Sequence, residues 1–107
     1  MDINTAIGNV NRAAVLLKAI SNEKRLLILA ALRDEEYCVG DLERFVDLSQ
    51  SALSQHLARL RRDGVVKTRR DAQTIYYSIK DPSIVKILDC LNDIYCEESS
   101  SGIQAAL

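Results

Sequence analysis

The sequence has little with which to build a membrane span, a disulfide scaffold or an active site. Over its 107 residues no apolar run is long enough to cross a bilayer, and Arg12, Lys18 and Lys24 interrupt the apolar stretches near the N-terminus. The opening Met1-Asp2-Ile3-Asn4 lacks the basic region and cleavage site of a signal peptide, so a cytoplasmic chain is expected. Three cysteines, Cys38, Cys90 and Cys96, show no CxxC spacing, and in that compartment free thiols are the expected state. Cys90 and Cys96 would stand about 120° apart around one helix and about 9 Å along it, too far for a bridge within the chain. His56 is the only histidine, so a metal site or a general base there has no partner. No glycine-rich phosphate loop and no cluster of catalytic carboxylates is present, which leaves an enzyme unsupported. No cofactor, no metal and no small-molecule substrate is expected.

What is present is one domain's worth of patterned sequence. The 48% hydrophobic content supplies a single core. Ile3, Ile7, Val10, Ala14 and Leu17 recur at steps of four and three, a narrow stripe suited to helix pairing. Ser21 reads as the cap of a second helix containing Leu26, Ile28, Leu29 and Leu32, ended by the charged turn Arg33-Asp34-Glu35-Glu36. A short third helix follows Gly40, with Leu42, Phe45 and Val46 on its apolar face. Asp47-Leu48 makes a tight turn, Ser49 caps a fourth helix running to Asp63, and Gly64 stops it in a left-handed conformation. Short helix, turn and second helix form a helix-turn-helix.

Val65 to Arg70 and Thr74 to Ile79 are rich in β-branched and aromatic residues, and Asp71-Ala72-Gln73 between them makes a hairpin. Asp81-Pro82 starts a last helix bearing Ile84, Ile87, Leu88, Leu91, Ile94 and Tyr95. The expected fold is mainly α with one small β-hairpin: a winged helix-turn-helix in the order α-α-α-α-β-β-α. Residues 1–98 form the DNA-binding and dimerisation domain, and 99–107 a mobile tail. The stripes on the first and last helices are spare, so they are expected to bury against a second copy; the alternative is that they complete the monomer's own core.

Charge is segregated along the chain. Between Ser49 and Arg70, Arg59, Arg61, Arg62, Lys67, Arg69 and Arg70 face only Asp63, a balance of +5 that leaves −6 for the rest of a chain whose net charge is −1. Such a distribution places a positive field on one surface. Within the fourth helix Leu53, Leu57 and Leu60 are spaced to pack inward. Ser51, Ser54, Gln55, Ala58 and Arg59 form the opposite face, small and hydrogen-bonding, with nothing bulky to obstruct a major groove. Gln55 suits adenine, Arg59 a guanine or a phosphate, and Ser49, with the free amides of the helix start beside Gln50, a phosphate. Arg69, Arg70 and Gln73 lie near the hairpin tip, where they reach phosphates or a minor groove; the alternative treats the two arginines as strand-edge charges that block aggregation. His56 reads as a packing residue or a phosphate contact. Double-stranded DNA is the expected partner.

Ser49-Gln-Ser-Ala-Leu-Ser-Gln-His-Leu57, Leu60-Arg-Arg-Asp-Gly64 and Arg69-Arg-Asp-Ala-Gln-Thr-Ile-Tyr-Tyr77 resemble the ArsR/SmtB family of winged-helix repressors, and most of all its NolR and HlyU branch. The likeness runs from about Ala13 to Glu97 and includes Lys24-Arg25-Leu26. It implies a homodimer joined through the first and last helices, near-palindromic promoter sites, association with the nucleoid when DNA-bound, and base contacts from Ser51, Ser54 and Gln55. Metal sensing, common in the family, lacks its ligands: Cys38-Val-Gly-Asp41 matches one subgroup, but the N-terminal arm brings neither cysteine nor histidine, and the last helix offers Asp89 and Asp93 alone. Thiol sensing stays open through Cys96, with or without Cys38, although relatives pair the former with a cysteine where this chain has Ala30. A protein-interaction module built on the same fold is the remaining alternative.

Overall fold

Five helices and three strands among the described residues surround one hydrophobic core. The computed structural model describes residues 2–98, and the tail expected over 99–107 lies outside them. In chain order the elements are α1 (Ile3–Ile20), α2 (Glu23–Ala31), β1 (Tyr37–Cys38), α3 (Val39–Phe45), α4 (Gln50–Arg62), β2 (Val66–Asp71), β3 (Thr74–Ile79) and α5 (Pro82–Glu98). This is the winged helix-turn-helix expected from the sequence, with one strand added. β1 pairs antiparallel with β3, Tyr37 opposite Tyr77 and Cys38 opposite Tyr76, giving a sheet in the order β1-β3-β2.

The helix ends follow local chemistry. Asn22, not Ser21, caps α2: its Oδ1 accepts from the Lys24 and Arg25 N–H groups at 2.9 and 3.0 Å, while Ser21 is the residue that ends α1. Both residue types cap well, and the asparagine holds the position that reaches two orphan donors. α3 begins at Val39, two residues earlier than its sequence suggests. Gly64 has φ +74° and closes α4 in a Schellman motif: its N–H donates to Arg61 O at 3.1 Å, and Val65 N–H donates to Leu60 O at 2.9 Å. Leu60 and Val65 are both buried, the apolar contact that usually accompanies this motif. Asp81 Oδ1 accepts from Ser83 N–H at 2.9 Å ahead of α5.

Ile28 and Leu29 of α2, Leu42 of α3, Leu53, Leu57 and Leu60 of α4, Val66 of β2 and Ile84 of α5 form the core. α4 is therefore clamped along its whole apolar edge, and its polar edge faces out. α1 enters the core only at its end, through Ala19 and Ile20, whereas Ile3, Ile7, Val10 and Leu17 stay more than half exposed. On α5 the inner end is buried at Ile84, and Ile94 and Tyr95 lie open. The two stripes do not complete the core of a single chain. Among the described residues no helix is long and apolar enough to cross a membrane.

Candidate nucleic-acid interface

The start of α4 is set by Ser49, whose Oγ accepts from Ala52 N–H at 3.1 Å. With Ala52 satisfied, the Gln50 and Ser51 amides remain at the positive end of the helix, where an anion is favoured. Ser51, Ser54 and Gln55 sit at i, i+3 and i+4 on the exposed face, beside exposed Gln50 and Ala58. Directly behind them Leu53, Leu57 and Leu60 are fully buried. A rigid helix thus presents a flat run of hydroxyl and amide groups.

His56 and Arg59 are placed differently from that run. Both are only partly exposed and lie on the side of α4 turned toward α2. Burial, with the Arg25 and Arg59 guanidinium groups nearby, pushes the His56 imidazole below its ordinary pKa of 6.5. Arg59 Nε lies 3.7 Å from Asp63 Oδ2 across one helical turn. That separation is an ion pair without a hydrogen bond, and the Nε has no hydrogen-bond partner. Behind both stands Arg25, the one charged side chain buried among the described residues. Its Nε donates to Ala19 O at 2.6 Å and its Nη2 to Lys18 O at 3.5 Å. Desolvation first, then the charge of Arg59, lowers the Arg25 pKa, with Asp63 acting against them. Arg25 therefore ties α2 to the end of α1. Sequence reasoning gave it no role, because a cation within an apolar helix carries no local sign of what will surround it.

In the hairpin, Arg69 faces Tyr76 and Arg70 faces Ile75 across the β2–β3 pair. The two arginines point to opposite sides of the sheet and have different partners. The Arg69 guanidinium lies 4.6 Å from the Tyr76 ring centroid. It grips Glu36 through Nε, 3.1 Å from both carboxylate oxygens, and through Nη2 as well. Arg70 instead donates its Nε to Ala72 O at 3.1 Å. Gln73 is exposed in the two-residue loop, next to Ala72 at φ +57°. Glu36 and Tyr76 are further residues that sequence reasoning left without a role at this site.

The thiols are scattered. Cys38, half-buried, donates to Asp41 Oδ2 at 3.3 Å, and Cys90 and Cys96 are exposed on α5; all three are free. Asp89 of α5, one of the acids weighed as a metal ligand, is taken by Arg33, which donates to its two oxygens at 2.9 Å each. Among the described residues no three His, Cys, Asp or Glu side chains gather as a metal site would need.

A buried-backed polar helix, a preceding helix at a tight turn and an arginine-tipped hairpin define a winged helix-turn-helix regulator that binds DNA. Residues 22–68 match the family described as bacterial regulatory protein, arsR family, and the chain belongs to the ArsR family of transcriptional regulators. It is 47% identical over 97 residues to the transcriptional activator HlyU of Vibrio cholerae, covering 91% of this chain and 90% of the relative. The reduced form of that protein superposes with a TM-score of 0.82 at 48% identity, covering 88% of this chain and 99% of the other. The nodulation protein NolR of Rhizobium meliloti is 55% identical over 89 residues, 83% of this chain and 73% of the relative. The transcriptional repressor BigR of Xylella fastidiosa superposes with a TM-score of 0.84 at 33% identity, covering 90% and 98% of the two chains. HlyU and BigR are both named as transcriptional regulators, not enzymes.

Proposed function

We propose that the chain is a repressor that binds near-palindromic promoter sites as a homodimer, reading bases with Ser51, Ser54 and Gln55. The observation that carries this reading is the exposed polar edge of α4 backed by fully buried Leu53, Leu57 and Leu60. Gln55 is the residue assigned to adenine, since its amide donates and accepts in one plane. Ser49, Gln50 and the open amides beside them hold a phosphate, and Arg70 and Gln73 reach the backbone or a minor groove from the wing. Arg59 and His56 act from behind: their partial burial against Arg25 suits support of the reading face better than contact with DNA.

The dimer rests on the exposed stripes of α1 and α5, whose burial in a second copy aligns two reading helices about a two-fold axis. Repression is the simplest consequence of covering a promoter, and BigR is named a repressor; HlyU, named an activator, marks the alternative of displacing another repressor. Cys96 lies exposed on α5, the helix assigned to pairing, so its oxidation would act on the dimer. The same assay tests both readings. A promoter fragment with an inverted repeat should bind with steep salt dependence, and binding should change after Cys96 is oxidised. Unchanged affinity with Cys96 fully modified removes the sensor; affinity for the fragment equal to that for random duplex removes the site-specific repressor.

A further inference from the structure

We propose that Glu36 is an internal stand-in for a DNA phosphate, a residue that sets affinity by holding Arg69 until the wing docks. The inference rests on the proposed use of the wing on DNA. Arg69 is a wing arginine, yet its fork is already occupied by a carboxylate 33 residues away in sequence, at the entry to β1. Carboxylate and phosphate present the same two-oxygen edge to a guanidinium. The Tyr76 ring, 4.6 Å from the guanidinium carbon, fixes the plane of the fork from below, so the group is held ready in a geometry a phosphate can take over.

The pair is poorly suited to a purely structural role. Its side chains are 53% and 37% exposed, so even a forked pair is screened by water and salt. Exposure of that degree also leaves the fork open to exchange, and the dense charge of duplex DNA supplies the competitor. Arg70 has no such occupant among the described residues: its Nε is turned onto its own turn at Ala72 O, and no carboxylate of those residues pairs with it. One wing arginine is therefore open and the other latched, and opening the latch lowers the net gain from each DNA encounter.

The test uses the full chain and a random-sequence duplex, with affinity measured across a series of salt concentrations for wild type, Glu36→Gln, Arg69→Ala, Arg70→Ala and the Glu36→Gln/Arg69→Ala double variant. Thermal melts confirm that each protein is folded. Glu36→Gln should tighten binding by up to about fivefold, and Arg69→Ala should lower the slope of log affinity against log salt by about 0.9. In the double variant Glu36→Gln should have no further effect, because the carboxylate acts through Arg69. If Glu36→Gln tightens binding equally with Arg69 absent, the carboxylate acts only as a general negative charge, and the proposal falls. It falls also if Arg70→Ala moves the slope and Arg69→Ala does not, while wing contact itself survives. Absence of duplex binding by every variant at low salt instead overturns the DNA-reading function on which the inference rests.

Discussion

Arg25 Nε donates to the Ala19 carbonyl at 2.6 Å, and through that bond a buried guanidinium ties the end of α1 to α2, the helix packed against the one proposed to read DNA. The carbonyls of Ala19 and Lys18 would otherwise stand at the open end of α1 with fewer donors. On its other side Arg25 meets the like charge of Arg59, offset by Asp63. Arg25→Met should therefore cost about 1–3 kcal/mol, the penalty of leaving buried acceptors unpaired. Arg25→Lys should recover part of it, since an ammonium reaches one carbonyl but not two. Urea denaturation at fixed protein concentration measures both, and equal stability of Arg25→Met and wild type would remove the brace.

His56 supplies a pH signature of the same cluster. Its folded pKa is depressed by burial and by the Arg25 and Arg59 charges, so between the two values the unfolded chain binds more protons than the folded one. Stability from this residue is fully present above about pH 6.5 and is lost as the pH falls toward the lower folded value. The melting temperature of wild type should drop more between pH 7.5 and 5 than that of His56→Gln. Parallel curves would show that His56 does not titrate differently on folding.

Ala72 carries a φ of +57° in the wing turn, a region where a Cβ is strained. Ala72→Gly should raise stability by about 0.5 kcal/mol, the relief of strain set against greater freedom of the unfolded chain. Ala72→Val should lower it by more than about 1 kcal/mol, because branching at Cβ worsens the clash. Melting temperatures in the order glycine, alanine, valine are expected, and the reverse order would contradict the turn geometry.

Val10 stands 56% exposed in the middle of the α1 stripe. If that stripe meets its copy, Val10→Glu removes two apolar side chains per dimer, about 3 kcal/mol. That corresponds to about a hundredfold in dimer dissociation. Sedimentation across a dilution series should show monomer where wild type is still dimeric. An unchanged dimer would place the interface elsewhere.

Much of this molecule is legible locally, and the remainder is not, for identifiable reasons. Ser49, Gly64 and Asp81-Pro82 mark helix ends by their own conformational preferences, and the leucines at 53, 57 and 60 declare the buried edge of α4 by spacing alone. β1 leaves no such trace. Tyr37 and Cys38 are too few to show alternation and become a strand only by pairing with Tyr77 and Tyr76. Ser21 and Asn22 are both good caps, and only the path of the chain chooses between them. At the site, the reading face of α4 follows from helix geometry, whereas the partners of Arg25 and Arg69 come from elements distant in sequence. The partial burial of Arg59 and His56 beside Arg25 depends on how α2 packs on α4, which helix position alone does not carry.

The central claim is that Gln55, with Ser51 and Ser54, reads base sequence from the exposed edge of α4. Selection of bound sequences from a random duplex library, run in parallel for wild type and Gln55→Ala, tests it most directly. Wild type should enrich an inverted repeat. Gln55→Ala should still bind but lose preference at one symmetric pair of positions, at a cost of about 1–3 kcal/mol for the best site. Enrichment of the same sequence to the same degree by both proteins, or no enrichment by wild type, would contradict it.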